Sequence, residues 1–431
     1  MKKIWNAAAL FFAFCLSANA QPRATLVGTY TLPRVSLSQL GNPACDEPAL
    51  ARAKINGLKF TDLPSIGSGL ASAGTNEFWG ITDRGPNGIL DGGDENGVRT
   101  FPLPQFCPTI FRMRLVGKEI QILQSIPLVD ARRKFISGLS NVKGEEHLYE
   151  SANAKKAITY DQDGVDPEAI RVLPDGKFLL SEEYSPSILV VAADGRVLMR
   201  YTPKSKPLPK AMYPVKAILP DVFAQRRDNK GFENLALSRD GAFAYALLQA
   251  PMGSAKEPRY ADSRVIRAVK LEVEDPLNAK VVAEYLALVS PASEYSKKLQ
   301  QEKISWSDAD WIAPDKLLVI ERAKGLVKLM LIDFNEASNV LGHQAESKLA
   351  FEDAAVDLIK LGVKPAQARE VFSTRDVQGI TSDKIEGLVV LSPTEIALSN
   401  DNDFGIGENK TGAPSMIWMV HLATPLPIKM K

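Results

Sequence analysis

The chain is poor in the residues on which much enzyme chemistry depends. Its 431 residues include three histidines and three cysteines. His147, His343 and His421 are scattered, and none falls where a strand pair ends in other polar residues. A nucleophile activated by a neighbouring histidine therefore finds little support, and so does a zinc site. No Gly-x-Ser-x-Gly elbow, Walker-type phosphate loop or Rossmann glycine fingerprint occurs, and Gly67-Ser68-Gly69 is only a turn-like fragment. Charge of one sign is also missing: 52 Lys and Arg balance 51 Asp and Glu, leaving +1. That balance speaks against nucleic acid or an anionic membrane as partner. Low-complexity tracts and obvious linkers are absent, which suits one large domain with a full core.

One long apolar run exists, at the N-terminus. Lys2-Lys3, the apolar stretch from Ala7 to Leu16, and Ala18-Asn19-Ala20 before Gln21 read as a secretory signal over residues 1–20. Cys15 lies in no lipobox, and no other segment is long and apolar enough to span a bilayer. Export, to a Gram-negative periplasm or beyond, is expected. Removing Cys15 leaves Cys45 and Cys107, a pair that an oxidising compartment favours as a disulfide.

What the chain does contain is a repeat. A polar opener, an apolar strand, a turn, a second apolar strand and a polar closer recur five times. Glu168-Ala169-Ile170 runs through Asp175-Gly176 to Glu182-Glu183, and Glu233-Asn234-Leu235 through Asp240-Gly241 to Gln249. Asp308-Ala309-Asp310 runs through Pro314-Asp315 to Glu321-Arg322, and Glu386-Gly387-Leu388 through Ser392-Pro393 to Asn400-Asp401. A looser copy joins Ser68 to Asp83-Arg84. The turn pairs mark hairpins, and a hairpin brings opener and closer to one end. Further strand-like runs follow each hairpin, making four strands per unit. The expected fold is all-β, a β-propeller of five four-stranded blades. A sixth would fall in Val129–Gly164 or Phe334–Gln378. The last unit lacks an outer strand, which Thr25–Tyr30 can supply from the N-terminus, closing the ring. The resulting division is residues 1–20 as signal, 21–66 as a segment with the closing strand, 67–404 as the propeller, and 405–431 as its last strand and tail.

Stacked units would gather Glu168, Glu182, Glu183, Glu233, Asp308, Asp310, Glu321, Glu386, Asp401 and Asp403 at one mouth. So many carboxylates call for cations, calcium first among the hard divalent ions. Asp83, Glu182, Glu183, Asp401 and Asp403 are the expected metal ligands. Glu168, Glu233 and Glu386 would complete the coordination or orient water, unless they merely bond to backbone amides of neighbouring blades. Arg84 and Arg322 are the main basic candidates for clamping a phosphate or carboxylate. Arg84→Ala is accordingly expected to lower turnover without unfolding the protein. Asp91–Asn96 and Asp161–Asp166 are acid-rich turns with partial resemblance to calcium loops.

Longer motifs accompany these residues: Phe78 through Asn87, Asp166-Pro167-Glu168-Ala169-Ile170 with Ser181 through Tyr184, Gly231 through Leu235, and Lys384 through Leu388 with Ser399 through Phe404. Together they resemble the phytase-like domain family, described as having esterase-like activity of phytase, over roughly Gly67 to Phe404. The resemblance implies an exported propeller hydrolase acting on a small phosphoester or other ester. The opposing expectation is a non-catalytic, calcium-stabilised binding propeller using the same face.

Overall fold

The computed structural model describes residues 23–88, 98–141, 147–151, 156–382, 384–407, 409 and 411–428. The signal segment and the Asp91–Asn96 loop lie outside these residues. Strands dominate, with two short α-helices among the described residues, Glu47–Ile55 and Pro258–Ala261. Asp46 caps the first helix, its side chain accepting from Ala49 N at 2.7 Å. No helix among the described residues is long and apolar enough to cross a membrane.

Alternating β-branched runs and tight turns fold into antiparallel sheets laid out in chain order. Gly69–Gly74, Glu77–Ile81, Thr109–Val116 and Glu119–Pro127 pair in sequence. Pro167–Val172, Phe178–Glu182, Ser187–Val191 and Val197–Pro203 follow, with Val215–Leu219 added in parallel at the outer edge. Next come Phe232–Leu237, Phe243–Leu248, Val265–Glu272 and Lys280–Leu288, then Ser305–Ala313, Lys316–Ala323, Leu326–Asp333 and Gln367–Ser373. The chain ends with Ile385–Ser392, Glu395–Asn400 and Met416–Leu422, and the N-terminal strand Ala24–Thr31 pairs antiparallel with the last of these. A single parallel step, Thr31 to Glu119, joins this group edge to edge with the first sheet. The Asp-Gly turns work as their composition dictates: Gly176 sits at φ 84°, open to glycine without strain.

The innermost strands Gly69–Gly74, Pro167–Val172, Phe232–Leu237, Ser305–Ala313 and Ile385–Ser392 each touch the next, and the last touches the first. This radial closure is the layout of a β-propeller. Middle strands such as Ser187–Val191 are buried on both faces between neighbouring sheets, which explains their continuous apolar runs. Among the described residues, Val129–Gly164 forms only isolated bridges and a short parallel pair of His147–Tyr149 with Val98–Thr100. From Phe334–Gln378, the strand Gln367–Ser373 completes the Ser305–Ala313 sheet.

The expected Cys45–Cys107 disulfide is not formed. Both are buried free thiols, held close because Asn42 accepts from Cys45 N and donates to the Cys107 carbonyl. Cys107 Sγ is turned to the Leu128 carbonyl, 3.1 Å away, and burial pushes both thiols up to about 12.

Candidate functional site

The strands that carry the glutamates are each irregular at the glutamate. Pro167 pairs with Glu182 and Ala169 with Ser181, so Glu168 is an extra residue between them. Glu233 is extra between Phe232 and Asn234, and Glu386 between Ile385 and Gly387. A bulge redirects the side chain it carries, and here three bulges turn three glutamates toward the axis. They line a cavity of about 310 Å³ with Asp83, Arg84, Arg99, Lys230, Arg322, Lys384, Asp401 and Asp403. None of the three glutamates bonds to a backbone amide among the described residues, which leaves their oxygens to the cavity.

The mouth is not an all-acid surface. Arg322 Nη2 bonds Glu386 Oε1, and its Nε donates to Ser307 Oγ at 2.7 Å. Lys384 Nζ bonds both Asp401 and Asp403. Burial alone would raise Asp401, yet Lys384 holds it below the usual carboxylate range. Arg84 is 5% exposed. Its backbone N donates to Asp166 Oδ1 at 3.0 Å, and its Nε lies 3.1 Å from Asp166 Oδ2. Tyr184 lies beneath the guanidinium and donates its own hydroxyl to the Gly138 carbonyl at 2.5 Å. Truncation in Arg84→Ala would leave the fully buried Asp166 without this cation, so a loss of stability is expected beside the loss of turnover.

Other predicted residues sit elsewhere. Glu182 accepts from Ser187 Oγ and Tyr184 N and pairs with buried Arg200 at 2.7 Å, so it stitches its own sheet. Glu321 is likewise consumed by Trp306 Nε1, Tyr295 OH and Ser290 N. Asp308 and Asp310 point down the axis, away from the mouth. Asp308 accepts from Arg171 Nη2 at 2.7 Å and from Leu388 N, and Asp310 from Val390 N. Asp161 caps a turn, accepting from Asp163 N and Ser137 Oγ. Glu183 is buried beside Glu168 and Asp166, and each of these three offers an oxygen within 4.8 Å of the others. Asp83 accepts from Gly85 N at 2.9 Å and borders the cavity.

Crowding sets the acidity. Burial first, then the charges of Asp166 and Glu183, pushes Glu168 well above the usual carboxylate range. Burial and Glu386 push Glu233 up to about 8, against the pull of Arg322. A carboxyl at about 8 in the fold and near 4.3 in the unfolded chain gives folding a proton uptake. Its contribution is present below the unfolded value and is lost as pH rises toward 8. In chelator, Glu233→Gln should therefore differ little from wild type in melting temperature at pH 5 and exceed it increasingly up to pH 8. An advantage independent of pH would contradict this protonation.

The model of the phytase-like family, described as esterase-like activity of phytase, matches residues 65–404. The chain belongs to this family. An uncharacterized secreted protein of Arthroderma benhamiae is 25% identical over 181 residues, 36% of this chain and 35% of that one. The phytase-like chain thus spans about a third of the length of that curated relative. Among solved structures, the periplasmic gluconolactonase of Pseudomonas aeruginosa aligns at 10% identity and TM-score 0.30, covering 83% of this chain and 86% of that one. A luciferin-regenerating enzyme aligns at 8% identity and TM-score 0.33, covering 85% and 96%. Likeness this remote says nothing about chemistry.

The signal for the missed residues was faint but present. Lys230 and Lys384 stand three and two residues ahead of a bulged glutamate, Lys384 opening a motif read for its acids and Lys230 immediately preceding another. Arg99 belongs to the short parallel pair, and no repeat pointed to it.

Proposed function

We propose that this phytase-like chain is an exported hydrolase of small phosphoesters, with other esters as the second class, working at the mouth of a five-bladed propeller. The observation that carries the reading is the convergence of the three bulged glutamates with Arg322, Arg84, Lys230 and Lys384 on one cavity. The signal-like N-terminus and the secreted relative support export, to the periplasm in a Gram-negative cell.

A divalent cation fits the donor set. Asp166, Glu168 and Glu183 converge, and Glu183 Oε1 is buried with no hydrogen-bond donor among the described residues, while Asp166 Oδ2 faces Arg84 Nε at 3.1 Å. All-oxygen, all-carboxylate ligation suits calcium. Of the ligands expected from sequence, Glu183 stays in this set, Glu168 joins it, and Asp166 is new. Glu182, Asp401 and Asp403 have basic partners instead, and Asp83 borders the cavity beside Arg84. Such an ion supplies Lewis-acid polarisation of an ester oxygen.

The chain's own residues divide the remaining work. Arg322 and Arg84 orient the non-bridging oxygens of the phosphoryl group. Glu386, whose Oε1 Arg322 already holds, accepts a proton from the attacking water through its other oxygen. As the phosphorus–oxygen bond to the alcohol breaks, Glu233 delivers its proton to the leaving oxygen, a role that its raised pKa suits. A non-catalytic binding propeller is the second reading, favoured by the existing pairing of Arg322 and Lys384 with carboxylates.

Calcium should raise the melting temperature and support phosphate release from an aryl phosphate, and chelator should reverse both. Glu183→Gln should abolish both increments. Wild-type increments in that variant would remove Glu183 from the cation site, and stabilisation without turnover would select the binding propeller.

A further inference from the structure

Among the described residues, Lys230 stands apart from the cavity's other basic residues in making no direct polar contact. Arg322 is bonded to Glu386, Lys384 to Asp401 and Asp403, and Arg84 to Asp166 and Asn229. Lys230 lines the same cavity, yet among the described residues it makes neither a hydrogen bond nor an ion pair. Burial, joined by the charges of Arg322 and Arg99, pushes its ammonium below the usual lysine range, and Glu233 and Glu183 pull it back up.

The loop that presents it is heavily constrained. Arg226 Nε donates to the Tyr184 carbonyl at 2.8 Å, and Arg227 Nη2 to the Tyr260 carbonyl at 3.0 Å. Asn229 takes the left-handed conformation, at φ 53°, while its side-chain oxygen receives Arg84 Nη2. Asn tolerates that conformation better than most residues, and such backbones collect at functional sites. Gly231 then crosses the Glu183 backbone so closely that a Cβ would lie 2.1 Å from its carbonyl oxygen. Two anchored arginines, one left-handed asparagine and one close-packed glycine thus hold the backbone that presents this ammonium. An ammonium so placed is ready to receive an anion, whereas its paired neighbours must give up a carboxylate to do the same.

Resting on the hydrolase reading, we infer that Lys230 is the receptor for the substrate's anionic group and restricts the site to small esters with one such group. A polyphosphorylated substrate would need several cations freed from their carboxylates. Among the described residues Lys230 is a cation that needs no such exchange, and about 310 Å³ leaves little room for a larger polyanion.

Inorganic phosphate is the probe, measured by calorimetry on the full mature protein, alongside kinetics on an aryl phosphate. Lys230→Met should weaken phosphate binding at least tenfold, and Lys230→Arg should restore most of it. The Met variant should raise KM for the aryl phosphate about tenfold and leave kcat within threefold, the signature of lost ground-state anion binding. Phytate should compete no better than phosphate does. Unchanged phosphate affinity in Lys230→Met, no phosphate binding by the wild type, or phytate binding far more tightly than phosphate would overturn the inference. Lys230-dependent phosphate binding in a protein that turns over no ester would sink the hydrolase reading while leaving the receptor in place.

Discussion

Glu233→Gln should lower kcat on a small phosphoester by about 10²–10⁴-fold, the usual contribution of a positioned general acid, with the fold intact. Glu233 sits on a bulge, is 6% exposed, and its side chain has no backbone hydrogen bond among the described residues that the amide would disrupt. Its carboxyl is pushed up to about 8 by burial and Glu386, so near neutrality it carries the proton a leaving alkoxide needs. Glutamine matches its shape and removes only that proton. The same change should stabilise the protein at pH 8, so stability and activity move in opposite directions. The loss should also be smaller for an activated aryl ester than for an alkyl ester, because a good leaving group needs less protonation. Equal, wild-type rates on both esters would take Glu233 out of the chemistry.

Arg171→Met should destabilise the protein by about 3–5 kcal/mol, the range for removing one partner of a buried ion pair. Arg171 is 5% exposed and spans the axis below the cavity. Its guanidinium donates to Leu70 O, Leu388 O and Asp308 Oδ1, so one side chain ties its own inner strand to three others. Asp308 and Asp310 extend the tie by accepting from Leu388 N and Val390 N. Without the arginine, Asp308 is a fully buried carboxylate with no cation. Pairing the change with Asp308→Asn should recover part of the loss, since the uncompensated charge is then gone. Denaturant midpoints for the two single variants and the double variant measure this directly. A loss under 1 kcal/mol would mean that the inner strands hold together without Arg171.

Hairpin ends were easy to read from sequence, because a period of two and an Asp-Gly turn fix which residues share an end. That logic placed Glu168, Glu233, Glu386, Arg84, Arg322, Asp83, Asp401 and Asp403 together, and all of them border one cavity. It misjudged residues whose orientation depends on a single register step. In the Ser305–Ala313 strand the irregularity covers both Ser307 and Asp308. Ser307 meets Arg322 at the mouth, while Asp308 turns down toward Arg171. Glu182 and Glu183 are neighbours in sequence, yet one pairs with Arg200 inside its sheet and the other sits beside Glu168. Bulges leave no periodic trace, so the side chains they redirect cannot be assigned from alternation. Partner cations were hidden for another reason. Arg200, separated from Glu182 by a whole strand, became its neighbour only through β pairing.

The most direct measurement is hydrolysis of an aryl phosphate, an aryl acetate and phytate by the purified mature protein, with calcium and with chelator. Chelator-sensitive phosphate release, faster from the aryl phosphate than from phytate, is the predicted result. Silence on all three substrates, with calcium still raising the melting temperature, would contradict the hydrolase and leave a calcium-stabilised binding propeller.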